Sequence, residues 1–310
     1  MSSKTIPADE IELSAPPAAA AAARQSTRER AADYLELTKP RITSFVLLTM
    51  AAGFFLGTEG GFDFAAFLHT LFGVALLSSG VSTLNQYYER DLDALMRRTE
   101  ARPLPAGRVR PAAALAFGLL LTAFGELHLA LFVNALSALC GLSVVVGYLG
   151  LYTPLKTRTS LSTVVGAFPG AVPPLLGWAA ASGALPTGAW VLFAILFLWQ
   201  FPHFFAIAWM YREDYARAGI LMLPVVEPEG RLTKQQIVLW TLLLVPVSLA
   251  PAALGISGVV YFFGALLLGG LFLCASGAAA LTLSRRNARR VLLASVLYLP
   301  FLFGLMVTKM

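Results

Sequence analysis

Hydrophobic residues run through this 310-residue chain in long blocks separated by short polar stretches. At about 20 apolar residues per bilayer crossing, roughly nine blocks qualify as spans: 41–58, 64–88, 111–131, 134–152, 162–182, 187–211, 235–254, 258–281 and 290–308. Each is expected to be a helix, because a helix satisfies its own backbone hydrogen bonds in lipid. The expected fold class is an all-α integral membrane protein. Composition agrees, with 57% hydrophobic and 13% charged residues and a mean hydropathy of +0.72, far too apolar for a water-soluble core.

The polar stretches alternate in charge. Nearly every Lys and Arg falls in the segment up to Arg41, in 89–110, at Lys156 and Arg158, in 212–234, or in the run Arg285, Arg286, Arg289 and Arg290. By the positive-inside rule these regions and the N-terminus are cytoplasmic, and an odd number of spans places the C-terminus outside. The net charge of +6 thus marks topology, and nucleic acid is not an expected partner. Residues 1–35 lack the apolar stretch of a secretory signal and read as a disordered cytoplasmic tail. Asp9, Glu10 and Glu12 argue against a mitochondrial transit peptide, so a bacterial cytoplasmic (inner) membrane is the expected location. Cys140 and Cys274 fall within spans and read as packing residues.

Residues 85–110, NQYYERDLDALMRRTEARPLPAGRVR, carry four carboxylates and six arginines where the second span meets the cytoplasmic boundary. Asn85, Glu89 and Asp93 stand four residues apart, so they drift only about 40° per step and share one helix face. Hard oxygen donors of this kind suit Mg2+ shared with substrate phosphates. Arg97, Arg98 and Arg102 follow, and guanidinium groups next to metal ligands point to a diphosphate site. Ionisable groups at membrane depth are costly and mark function. The bland alternative is a wet loop whose arginines only orient the helices.

Other polar clusters lie on the same side. Lys156 and Arg158 in YTPLKTRTS are either a topology anchor or part of the site. The fifth span contains Pro169, Pro173 and Pro174, so it is expected to break or kink and to face protein or a cavity. The sixth span ends in WQFPHFFAIAWMYREDYARAGI, where residues 203, 207, 210 and 214 are expected to share a face. There Glu213 and Asp214 either complete a second metal or diphosphate site or pair with Arg212 and Arg217. His203, among Trp199, Phe201, Phe204 and Trp209, is either a hydrogen-bonded buried histidine or an iron ligand for a flat aromatic molecule. His69 and His128 read as structural. Glu126 in the third span must be neutral or paired, and the sequence names no partner.

Together these motifs resemble the intramembrane prenyltransferases, and within them the haem O synthases. The resemblance covers roughly residues 36–310 as a single domain and rests on ELTKPR, the 85–110 segment, YTPLKTRT, GAFPGAVPPLLGW and WQFPHFFAIAWMYREDYARAGILMLPVV. It implies nine helices around a central cavity open to the cytoplasmic side. It also implies farnesyl transfer from farnesyl diphosphate to a vinyl group of haem b, with Mg2+ on Asn85, Glu89 and Asp93. Arg97, Arg98, Arg102, Lys156 and Arg158 would take the diphosphate, and His203 the haem. Haem A synthase or oxidase assembly proteins are the protein partners it suggests. Two departures stand out. Glu89 replaces the usual Asp, and Tyr211 and Tyr215 occupy the spacing at which quinone-type relatives carry a second Asp-x-x-x-Asp. A transporter is the competing class, since it too uses broken helices and polar residues at membrane depth, but here the charges crowd one membrane face.

Overall fold

The computed structural model describes residues 26–308, and these are helical apart from short connections. Helix α1 (Thr27–Leu37) precedes the first span. The spans are α2 (Pro40–Gly57), α3 (Phe64–Asp93), α4 (Pro111–Phe132), α5 (Ala135–Leu155), α6 (Ser162–Ser182) and α7 (Thr187–Met210). Two short helices, α8 (Arg212–Arg217) and α9 (Leu223–Val226), lead to the spans α10 (Arg231–Ala253), α11 (Val259–Leu281) and α12 (Arg285–Val307). Among the described residues nine helices are thus long and apolar enough to cross a membrane, as the sequence predicts.

Local chemistry sets the starts. Pro40 and Pro111 open α2 and α4, where a missing N–H costs nothing. Asp63, Asn134 and Ser284 cap α3, α5 and α12 through their side-chain oxygens. Two boundaries shift from expectation. Helix α3 continues to Asp93, so the charged residues after position 88 stay helical, and α12 begins at Arg285, so its four arginines belong to the helix.

The tail expected through residue 35 is also corrected at its end. Ser26 and Glu29 form a reciprocal capping box that starts α1. Leu37 is fully buried against Leu104, Val109 and Ala114, while Arg108 bonds Asp33 at 2.8 Å and Glu36 at 3.2 Å. Residues 1–25 lie outside the described part.

Helix α6 is the hub, with 72% of its apolar window buried. It packs against α2, α5 and α7; α3 pairs with α4, and α10 lies between α7 and α11, with α12 closing back onto α7 and α2. Of the expected break or kink the break does not occur, since α6 stays one helix across residues 162–182, and as expected this span faces protein. The carbonyls that prolines release are tolerable because this helix meets protein on most sides. Close approach to α2 depends on glycine: a Cβ on Gly53 would stand 2.0 Å from the Pro174 carbonyl oxygen, and one on Gly177 2.0 Å from that of Met50.

Candidate active site

The extra turns of α3 put Asn85, Glu89 and Asp93 on one face, and all three are buried, at 1%, 6% and 1% exposure. Burying carboxylates is tolerable only with partners, and each group on this face has a cationic one from a different segment. Lys39 Nζ donates to Asn85 Oδ1 at 2.8 Å. Lys156 Nζ donates to Glu89 Oε1 at 2.5 Å, and Arg102 NH1 donates to Asp93 Oδ2 at 2.7 Å.

The segments that deliver these cations are themselves tied down. Lys39 caps α2 with φ 49°, the one non-glycine residue with positive φ among those described, a strained conformation of the kind that gathers at functional sites. Burial, and then the neighbouring Arg102, push its ammonium down to about 7. Gln86, next to Asn85, donates to the Leu37 carbonyl at 2.8 Å and so fixes α1 ahead of Lys39. Arg102 is returned toward α3 by a loop whose first turn is closed by Thr99 Oγ1 on the Asp93 carbonyl, at 2.8 Å.

The last part of α5 turns from α-helical to π-helical over Val146–Tyr152, a local widening common at functional sites. Thr153 follows, accepting from Asn85 Nδ2 at 3.3 Å and donating to the Tyr148 carbonyl. Lys156 lies over the Tyr152 ring at 4.4 Å. Burial acts to lower its ammonium, but Tyr152 and Glu89 outweigh that and hold it above the ordinary lysine range, so it is charged.

The remaining predicted residues divide. Arg98 is exposed at its outer edge and stacks over Tyr211 and Tyr215. Arg97 and Arg158 are exposed, and no ion pair among the described residues ties them to the acidic face. The expected alignment of 203 with 214 does not form, because α7 ends at Met210 and α8 starts afresh at Arg212. Asp214 is buried and paired with Arg217, while Glu213 is exposed; Arg212 lies over the Trp209 ring. His203 Nδ1 is 2.8 Å from Ser295 Oγ on α12, and its ring stacks on Trp199. His69 and His128 bond each other at 3.2 Å beside Phe132, and Glu126 Oε2 is buried without a hydrogen-bond partner among the described residues. An open groove lined by Pro246, Leu249, Ser257 and Phe262 between α10 and α11 contains no ionisable side chain.

Among the described residues no three His, Cys, Asp or Glu side chains converge as a metal-binding group. The donor set on α3 is instead two carboxylates and an amide oxygen. It fits Mg2+, which takes one or two carboxylates and completes its shell with water and phosphate oxygens. Each carboxylate commits one oxygen to its cation. Lys39 is the residue that sequence reasoning misses: it lies within ELTKPR, but 46 positions before Asn85, where no spacing rule connects them.

The sequence and the fold have counterparts in known proteins. The chain is 54% identical over 283 residues to a protein from Solibacter usitatus named protoheme IX farnesyltransferase, covering 88% of this chain and 97% of that one. A protein of the same name from Koribacter versatilis is 44% identical, covering 88% and 92%. Among solved structures, one of digeranylgeranylglyceryl phosphate synthase superposes with a TM-score of 0.76 at 17% identity, covering 91% of this chain and 98% of that one. A UbiA homologue from Archaeoglobus fulgidus bound to GPP and Mg2+ superposes with a TM-score of 0.62 at 17% identity, covering 88% and 99%. The family model for UbiA prenyltransferases matches residues 46–299. This multi-pass membrane chain, with its acidic helix face held by three cations, belongs to the UbiA prenyltransferase family.

Proposed function

We propose that the chain transfers the farnesyl group of farnesyl diphosphate to a vinyl group of haem b, with addition of water, making haem O for terminal oxidases. The observation that carries the reaction class is the convergence of Lys39, Arg102 and Lys156 on one buried acidic face. Such an arrangement neutralises a polyanionic diphosphate leaving group together with its metal. The acceptor is supported by the relatives, which share up to 54% identity over nearly their whole length and are named for protohaem IX and a farnesyl group.

In this reading Asn85, Glu89 and Asp93 hold Mg2+, which supplies Lewis-acid neutralisation of the diphosphate when bound. Arg98, Arg102 and Lys156 take diphosphate oxygens, and Arg97 and Arg158 serve the exposed rim. As the allylic C–O bond breaks, its electron pair leaves with the diphosphate, and these fixed cations stabilise the growing charge. The Tyr152 ring beneath Lys156 and the Tyr148 ring set edge-on to it help keep water from the allylic cation. The vinyl group then gives its electron pair to the new C–C bond, and water adds to the adjacent carbon and loses a proton. His203 holds the haem iron through Nε2, with Nδ1 kept on Ser295. Glu213 and Asp214 stay outside this metal set. The cavity and the basic ends of the helices face the cytoplasm of a bacterial cell, the C-terminus faces outward, and haem A synthase or an oxidase assembly protein receives the product.

The test is direct. The purified protein is given haem b, farnesyl diphosphate and Mg2+ in detergent, and the extracted haem is weighed by mass spectrometry with and without chelator. A chelator-sensitive shift to hydroxyethylfarnesyl haem is expected; bound haem of unchanged mass would move the acceptor to another ring.

A further inference from the structure

Arg98 is held in an unusual way. Its guanidinium carbon lies 5.2 Å from the centre of the Tyr211 ring and 4.9 Å from that of Tyr215, and NH2 donates to the Tyr215 hydroxyl at 2.9 Å. Tyr211 sits at the α7–α8 junction and Tyr215 lies one turn into α8, its N–H donating to the Tyr211 carbonyl, so both residues lie on one side of that helix. The loop carrying Arg98 is independently docked on the same region. Met96 is buried with Ala208, Ala218, Ile220 and Met222, and Arg217 Nε donates to the Leu95 carbonyl. The acidic residues between the tyrosines do not compete for Arg98: Asp214 is engaged by Arg217, and Glu213 is exposed.

We infer that Tyr211 and Tyr215 are positioning residues for the diphosphate: they bracket Arg98 and present its guanidinium edge to the departing group. The third polar segment of the chain therefore contributes an aromatic clasp on an arginine where a carboxylate pair would have contributed a metal ligand set. A guanidinium held against two rings, with one donor spent on the Tyr215 hydroxyl, keeps its remaining N–H donors for a phosphate while losing the rotamer freedom that weakens a loose arginine. The inference rests on Arg98 being a diphosphate ligand, as proposed above.

The test uses full-length protein in detergent, Mg2+ and the unreactive farnesyl thiolodiphosphate, with affinity read by calorimetry and folding by the melting temperature. Tyr211→Leu should weaken binding about fourfold, the scale of one solvent-exposed cation–π contact, whereas Tyr211→Phe should restore it. In an Arg98→Leu background Tyr211→Leu should have no further effect. A full effect of Tyr211→Leu without Arg98, or no effect with it, would overturn the bracket. Unchanged affinity of Arg98→Leu would remove the premise and with it the proposal. Unchanged affinity of Asp93→Ala would instead strike the metal-diphosphate reading itself. Because Met96 and Arg217 anchor the loop separately, Tyr215→Phe provides a second variant that keeps the fold: it should lose only the hydroxyl bond and bind within about threefold of the parent.

Discussion

Lys39 Nζ lies 2.8 Å from Asn85 Oδ1, which brings the first residue before span α2 onto the acidic face of α3. An amide oxygen needs no cation to be buried; a hydrogen bond from any donor suffices. A partly buried ammonium here instead adds positive charge to a site that already holds Arg102 and Lys156; burial first, and then Arg102, push it down to about 7. Such crowding is useful where an anion binds. Lys39→Met, which keeps the length of the side chain, should raise KM for farnesyl diphosphate about tenfold with a smaller change in kcat, measured by steady-state turnover. An unchanged KM would reduce Lys39 to a helix-end support.

Asp93 has no substitute for its oxygen. Asp93→Ala removes a proposed metal ligand and leaves Arg102 without its 2.7 Å partner. Turnover should fall by at least about a hundredfold, while haem binding, followed by absorption, stays intact. Near-normal turnover at saturating Mg2+ would remove Asp93 from the ligand set.

Glu89 and Lys156 form a buried pair, with 9% and 12% of their side chains exposed. Breaking such a pair by removing one partner strands the other and costs about 3 kcal/mol. Glu89→Ala and Lys156→Ala should each lower the melting temperature in detergent, and the double variant should be less destabilised than the sum of the two. Strict additivity would mean that the contact contributes little. Glu89→Asp is the more informative change for activity, since it keeps the charge but shortens the reach to Lys156.

Much of this was readable from the chain because the physics was local. Span positions follow from apolar block lengths, and the Asn85–Glu89–Asp93 face follows from helical period, which holds because α3 continues to Asp93. The alignment of His203 with Asp214 used the same arithmetic and failed, because α7 stops at Met210 and no residue pattern announces the break. The prolines of α6 point to a break that the helix does not make: their cost depends on what surrounds the helix, and the close approaches of Gly53 on α2 to Pro174 and of Gly177 on α6 to Met50 are tertiary facts. Partnerships such as Lys39 with Asn85 or Arg98 with Tyr211 join distant segments, and spacing along the chain carries no trace of them.

His203 is where the two sequence readings diverge most usefully. Its Nδ1 meets Ser295 Oγ at 2.8 Å and its ring stacks on Trp199, whose Nε1 donates to the Ser295 carbonyl. That arrangement satisfies a buried histidine, and it equally fixes the ring so that Nε2 has one direction, which is how metal-binding imidazoles are oriented by a neighbouring acceptor. Substitution separates these roles. If Nε2 holds the haem iron, His203→Ala should shift the absorption of bound haem and weaken its binding, while Ser295→Ala should leave the ligand in place and disturb only its orientation. Imidazole added to the His203→Ala protein should restore the parent spectrum, because it replaces the missing ligand without replacing the bond to α12. If the bond to Ser295 is the whole of its role, both variants should melt earlier by a similar amount, with haem absorption unchanged and no response to imidazole.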